Sequence, residues 1–345
     1  MQEIVAVFFS ALAVLFMARK VARKVGLVDK PNSRKFHQGH IPLVGGVSVY
    51  LSLWILYLMQ PTWLPDFTLY MVCATLLLAI GVLDDRYDLP VWPRVALQAA
   101  IAILMICNGL YLKSFGEIFF GHELVLGIGG TVITVFAIWG AINAFNMVDG
   151  VDGLLGALSC VTFCALTVVF YIHGNTDMAL WCLCLMVSCL PYLLLNLGVI
   201  WGRKFKVFMG DAGSTLIGFT VIWVLILGSQ GENKVMQPVT ALWLIAVPLM
   251  DMVRVMISRI RCGNSPFKPD RQHLHHILMR SGSSARRTVI IMVFIATLLA
   301  AIGIISEMLH IAEVFSLLFF MCVFVLYCLV INLLAQARSN QIYLK

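Results

Sequence analysis

Charge is what this sequence lacks. Only 12% of its 345 residues are Asp, Glu, Lys or Arg, against about 25% in an average soluble domain. A soluble globule so poor in charge could not cover its surface with polar groups. The chain also lacks the low-complexity tracts of disordered proteins, the glycine period of collagen and the heptads of a coiled coil. It lacks a CxxC pair, and nine of its ten cysteines fall in apolar stretches, with Cys262 alone in a loop. They read as small packing residues and imply no disulfide framework. Alternation of the β-barrel type and long internal repeats are absent too. Against these absences stand 61% hydrophobic residues and a mean hydropathy of +0.94, the composition of a helical protein that crosses a membrane many times.

A bilayer core takes about 20 apolar residues per helix. Eleven such stretches are expected, near 3–18, 41–59, 68–83, 95–112, 128–147, 154–172, 178–198, 213–229, 240–257, 288–305 and 312–334. The fold class is therefore all-α and polytopic, a single transmembrane domain over 1–345. The first stretch follows Met1-Gln2-Glu3 and precedes a basic run, the reverse of a cleaved signal peptide.

The basic residues orient the chain. Twenty-one of 24 fall in the loops near 19–40, 84–94, 199–212 and 258–287 or in the C-terminal tail. Lys113 and Lys234 fall on the other side, and Arg254 lies within a span. This asymmetry puts those loops and the C-terminus in the cytoplasm and the N-terminus in the periplasm. The acidic residues divide evenly but differ in kind. Those outside are scattered, whereas the cytoplasmic ones are all Asp and crowd the ends of spans: Asp29, Asp84, Asp85, Asp88, Asp149, Asp152, Asp211 and Asp270.

Five constellations hold these carboxylates. Asp84-Asp85-Arg86-Tyr87-Asp88 closes the third span; adjacent carboxylates repel, and a divalent metal or a proton-accepting role would exploit that. A solvated helix stop before Pro90 is the plainer reading. Asn143 to Gly153, reading NAFNMVDGVDG, joins the fifth and sixth spans near 148–153. In a helical turn Asp149 and Asp152 would share a face, with Asn146 beside them, and their oxygens suit Mg²⁺ or Mn²⁺. A turn with Asx caps is the alternative, and the EF-hand spacing is absent. Lys206 to Ser214, KVFMGDAGS, opens the eighth span. It sets Asp211 and Ser214 at a helix N-terminus, where amides and the dipole attract phosphate. Phe208 could stack on a base, although the segment also passes for an ordinary cap and is no Walker A loop.

Pro269 to His276, PDRQHLHH, suggests zinc, but HExxH is missing and only Cys262 offers a nearby thiolate. His273 and His276 can share a helix face flanked by Arg271 and Arg280, donors suited to phosphate oxygens. The fifth, Asp29 to Gly46, carries Lys35 and His37 and ends in Gly45-Gly46, which permits close backbone approach; its basic residues also suit anionic lipid headgroups. Finally, Asp251 and Arg254 lie one turn apart within the ninth span, where charges mark function by default but can also pair with each other.

Taken together, DKPNSRKFHQGHIPLVGG, DDRYD, NAFNMVDGVDGL, VFMGDAGSTLIG and DRQHLHH resemble the polyprenyl-phosphate N-acetylhexosamine-1-phosphate transferases along nearly the whole chain and in order. The segment Ile41-Pro42-Leu43-Val44-Gly45-Gly46 and the His-Leu-His-His run favour the branch that uses GlcNAc over the one that loads phospho-MurNAc-pentapeptide. The resemblance implies an eleven-span enzyme of the bacterial inner membrane, with its active site on the cytoplasmic face. It would convert UDP-GlcNAc and undecaprenyl phosphate to undecaprenyl-diphosphate-GlcNAc and UMP with Mg²⁺ or Mn²⁺. That reaction would begin synthesis of lipopolysaccharide O-antigen or enterobacterial common antigen. It also implies roles: Asp84 or Asp85 as proton acceptor, Asp211 on the metal with Asp149 or Asp152 helping hold it or the uridine, and Asn146 beside them. Phe208 would meet uracil. Arg271, His273, His275 and His276 would meet phosphate or sugar, with Lys35 and His37 as further substrate contacts. The partners are the two substrates and the bilayer, with a homodimer compatible and no sign of nucleic acid. A transporter or flippase for a lipid-linked or nucleotide sugar is the alternative; it would want polar groups at mid-membrane in paired repeats, whereas here they gather at one face.

The charge asymmetry makes a direct prediction. Tags at Ser339 and in the 258–287 loop should be cytoplasmic and a tag near Asn233 periplasmic. Modification of a cysteine introduced at Ser283 by an impermeant reagent added outside would overturn the orientation.

Overall fold

The structure is a computed structural model that describes residues 1–30, 39–119, 121–232, 234–265 and 272–343, with side chains described to 334. The described residues form thirteen helices. They are α1 Gln2–Val25, α2 Gly45–Met59, α3 Phe67–Tyr87, α4 Val91–Cys107, α5 Gly129–Val148, α6 Leu154–Ile172 and α7 Thr176–Asn196. There follow α8 Gly210–Ser229, α9 Pro238–Leu244, α10 Ala246–Arg261, α11 Leu274–Arg280, α12 Ala285–Met308 and α13 Glu313–Tyr343. A backbone surrounded by lipid must satisfy its own hydrogen bonds, which is why the apolar runs are helical.

Every one of the eleven expected stretches contains helix, but they are not equivalent. Among the described residues eight helices are long and apolar enough to cross a membrane. α2 and α4 are shorter, at 15 and 17 residues. The stretch expected as a continuous ninth span, 240–257, is instead broken: α9 and α10 meet at Ile245 with a bend of 85°. Two features explain the break. Pro238 opens α9 and Pro248 lies in the first turn of α10, positions where a missing N–H costs a helix nothing. α10 also carries Asp251, Arg254, Ser258, Arg259 and Arg261, a polar stripe that a straight span would have held in the membrane.

The helix α8 is the axis of the bundle. It is buried along nearly its whole length and packs on α2, α3 and α5. Contact with α2 is backbone to backbone: a Cβ on Gly46 would lie 2.3 Å from the Cα of Gly213, so the close approach that Gly45-Gly46 suggested is realised. Tyr70 stacks on Phe219 with ring centroids 5.8 Å apart, and its hydroxyl meets Thr220 Oγ1 at 2.7 Å. By contrast α1 and α13 turn Phe9, Met17, Phe315, Phe319, Leu326 and Leu333 outward. A polar axis-end inside an apolar exterior is the arrangement of a polytopic membrane protein.

The helix ends sort into two groups. At one end Gln60 donates to Glu3 at 3.0 Å, Gln230 accepts from the N–H groups of Lys113 and Ser114, and Glu307 accepts from Gln237 N–H. A cavity of about 230 Å³ lined by Asp66, Lys113, Gln230 and Glu232 lies there. The constellations collect at the other end, on elements longer than expected. The basic residues from Arg19 to Lys24 belong to α1 rather than to a loop, and Arg19 donates to the Lys204 carbonyl at 2.9 Å. α3 runs on through Asp84 and Asp85 to Tyr87, and the expected 258–287 loop holds α11. Val28–Asp29 pairs with Ile41–Pro42, and Val44 and Gly45 donate to the Phe208 carbonyl, which sews the first loop to the start of α8.

Candidate active site

The end of α3 meets the start of α8. The first amides of a helix lack partners within it, and α8 has no side-chain cap of its own. Asp85 supplies one from 126 residues away: its Oδ1 accepts the N–H of Asp211 at 2.8 Å and its Oδ2 that of Ala212 at 3.2 Å. The expectation that these amides would face phosphate is thereby corrected, because a carboxylate of the protein already holds them. Asp84 is engaged differently. It accepts the N–H of Leu89 at 2.8 Å and pairs with Arg94 in the first turn of α4. Neighbours in sequence, the two carboxylates thus have unlike surroundings.

Arg94 also reaches Asp211, at 3.6 Å from Oδ2. On its other oxygen Asp211 accepts the amide of Asn146 at 2.9 Å, and the same amide donates to Ser214 Oγ at 2.9 Å. Asp84, Asp85, Asn146 and Asp211, assigned from three separate segments, therefore form one network, with Arg94 between two of its carboxylates.

The second part of the site is the turn between α5 and α6. Asp149 and Asp152 do not share a helix face: α5 ends at Val148, α6 begins at Leu154, and Gly153 takes φ +78° between them. Asn196 at the end of α7 fixes this turn, accepting the N–H of Gly153 at 2.5 Å and donating to the Val207 carbonyl at 2.8 Å. Asp152 pairs with Lys206 at 2.5 Å, and the Lys206 ammonium also lies 5.1 Å from the centre of the half-buried Phe208 ring. Asp149 sits at the C-terminus of α5, half-buried.

The histidines close the site from a third direction. His273 precedes α11 rather than sharing a helix face with His276. Its ring lies parallel to that of His275, with centroids 5.7 Å apart, and His275 in turn meets His276 at 4.2 Å. His275 is 1% exposed, and neither ring nitrogen has a hydrogen-bond partner among the described residues. Burial, with His276 alongside, pushes its pKa down to about 3, so the ring is neutral at physiological pH. Its Nε2 faces Gly150, where a Cβ would stand 2.6 Å away. The glycine thus lets the histidine segment pack on the aspartate turn. Lys35, His37 and Arg271 lie outside the described residues.

Among the described residues no three His, Cys, Asp or Glu side chains converge to cage a metal. Mg²⁺ seldom needs such a cage, taking one or two carboxylates with waters and substrate phosphates. Asp211 and Asp152, whose side chains are 47% and 45% exposed, are oxygen donors of that kind at the open surface of the site. Two positioning residues went unassigned in the sequence. Arg94 served only to orient the chain there. Asn196 is an amide closing a leucine-rich helix, and that incongruity was its available signal.

Packing of His275 on Gly150 can be tested. Gly150→Ala should lower the melting temperature in detergent by the equivalent of about 1–3 kcal/mol, the usual cost of overpacking. Gly129→Ala, with open space around the added methyl, should leave it unchanged; equal melting temperatures would mean that the two segments do not touch.

The sequence matches the model of glycosyl transferase family 4 over residues 67–229, the stretch from the start of α3 to the end of α8. It is similar along most of its length to proteins named undecaprenyl-phosphate alpha-N-acetylglucosaminyl 1-phosphate transferase. The relative from Escherichia coli (strain K12) is 52% identical over 94% of this chain and 89% of its own. That from Yersinia pestis is 53% identical over the same shares, and that from Haemophilus influenzae 49% over 95% and 92%. Identity at this level along nearly the full length places the chain in glycosyl transferase family 4, among the undecaprenyl-phosphate alpha-N-acetylglucosaminyl 1-phosphate transferases.

Proposed function

We propose that this protein transfers GlcNAc-1-phosphate from UDP-GlcNAc to undecaprenyl phosphate, giving undecaprenyl-diphosphate-GlcNAc and UMP. The names of its relatives support the reaction. The observation that carries the assignment to this site is the joining of Asp84, Asp85, Asn146 and Asp211 around Arg94 at one end of the bundle. On this reading the apolar stretches make eleven crossings of a bacterial inner membrane, the ninth of them broken at Ile245 and the second and fourth short, with the N-terminus periplasmic and the site cytoplasmic. The product would feed assembly of O-antigen or enterobacterial common antigen.

An oxygen of the lipid phosphate attacks the β-phosphorus of UDP-GlcNAc, forming a new P–O bond while the bond to the bridging oxygen breaks and UMP leaves. Asp84 or Asp85 accepts the proton of the lipid phosphate. Lys206 and Arg94 are cations placed to meet phosphate oxygens, and Phe208 offers a face to uracil. His273 and His276 bind phosphate or sugar. Asp211, with Asp149 or Asp152 assisting, would hold Mg²⁺ or Mn²⁺, whose charge offsets repulsion between the two anionic substrates. The polyprenyl tail stays in lipid, so only its phosphate must reach the site.

Purified protein should release UMP only when both substrates and a divalent metal are present; movement of the sugar across a vesicle membrane with no UMP formed would favour the sugar transporter, and UMP release without the lipid phosphate would overturn direct attack by the lipid. Asp211→Asn should cut turnover at least ~10²-fold and raise the metal concentration needed for half activity. An unchanged metal requirement would move the ligand role to Asp149 or Asp152.

The aspartate pair separates by a second measurement. If Asp84 is the proton acceptor, Asp84→Asn should lose ~10²–10⁴-fold in turnover while UDP-GlcNAc binds almost as before. Activity should partly return at high pH, where the lipid phosphate ionises unaided. Asp85→Asn, which disturbs the cap on α8, should instead lose nucleotide binding and thermal stability together. Should both variants lose binding as completely as turnover, with no recovery at high pH, neither residue accepts the proton.

A further inference from the structure

Asp251 and Arg254 of α10 are not bonded to each other; both are spent on the histidine segment. Asp251, fully buried, accepts from the Nδ1 of His273 at 2.8 Å on Oδ2. Its Oδ1 accepts the backbone N–H of Leu274 at 2.8 Å and the hydroxyl of Tyr327, on α13, at 2.9 Å. Arg254, one turn further along α10, donates to the carbonyl of Gln272. Three consecutive residues, 272 to 274, are thereby clamped by two side chains of α10.

Part of this clamp serves the fold. The N–H of Leu274 opens α11, and Asp251 caps it from another helix. The bond to the His273 ring does not serve the cap. A carboxylate on Nδ1 keeps the proton of a neutral imidazole on that nitrogen and fixes the plane of the ring, leaving Nε2 as the nitrogen for a ligand. The parallel His275 ring limits the same plane from one side. Among the described residues Asp251 makes no hydrogen bond to Asp84, Asp85 or Asp211, so it reaches the site only through the start of α11 and the ring of His273.

We infer that Asp251 is a positioning residue for the transfer reaction: it orients His273 and fixes its tautomer so that Nε2 is presented to the phosphate-bearing substrate. Arg254 and Tyr327 support it, one by holding the backbone before the ring and the other by bracing the carboxylate. The inference rests on the transferase reading of the site, and its test has a readout independent of that reading.

The experiment joins a double-mutant cycle to ¹⁵N NMR of the imidazoles in nanodisc-embedded protein. Asp251→Asn keeps the shape of the side chain and should lower kcat ~10–100-fold, the loss usual when the partner orienting a functional histidine is changed, with KM for UDP-GlcNAc little altered. His273→Gln should lower kcat at least as far, and the double variant no further than His273→Gln alone. Penalties that multiply in the double variant would make Asp251 merely structural and overturn the proposal. In the spectra, wild-type His273 should show a proton on Nδ1, and Asp251→Asn should shift it toward the other tautomer. A wild-type His273 protonated on Nε2 alone overturns the proposal even if Asp251→Asn fails to fold. If UMP release is absent while the tautomer is as expected, it is the transferase reading that has failed.

Discussion

The bond from Asp85 to the first amides of α8 is the interaction on which the rest of the site depends. α8 is enclosed by other helices, so its N-terminal N–H groups have little bulk water to turn to, and an unmet amide there costs about 1–3 kcal/mol. Supplying the cap from α3 satisfies those groups and pins the ends of two central helices together. Once that contact is made, Asp84 and Asp211 have little freedom. Asp84 follows from its position beside Asp85, and Asp211 from being the residue whose amide is held.

Carboxylates brought this close repel one another, and the structure shows how the repulsion is contained. Arg94 stands between Asp84 and Asp211, Lys206 takes Asp152, and amides meet Asp84, Asp85 and Asp211. Among the described residues Arg94 serves two carboxylates at once, and Asp211 and Asp152 keep 47% and 45% of their side chains exposed.

Much of this was legible in the sequence, and the exceptions have physical causes. Apolar length identified the helices, since the demand on backbone groups in lipid is local and leaves its mark in every window. The crowding of Asp residues at one face singled out Asp84, Asp85 and Asp211, which the structure joins in one network, and Asp149 and Asp152, which it places in the turn between α5 and α6. What sequence could not supply was pairing across long separations. Nothing near Asp85 announces a cap for a helix 126 residues on, and nothing near Asp251 announces His273. The proximity of Asp251 and Arg254 suggested an ion pair that tertiary contacts overrode. The break at Ile245 escaped because mean hydropathy averages over the polar stripe that makes α10 turn away from α9.

The same device appears twice, and it changes how substitutions here must be read. Asp85 caps α8 from α3, and Asp251 caps α11 from α10. In each case one oxygen meets the backbone and the other meets a further group: the second amide of α8 for Asp85, the ring of His273 for Asp251. A membrane protein has reason to build this way, since a charge buried for chemistry alone would have to be neutralised by groups that do nothing else, whereas a helix terminus needs an acceptor in any case. It follows that loss of activity alone cannot separate fold from chemistry at these positions. At Asp85 both oxygens serve α8, so structural and catalytic losses should rise together. At Asp251 the two oxygens divide the work, and only there can one side chain be asked, by its coupling to a single histidine, which of the two it was placed to serve.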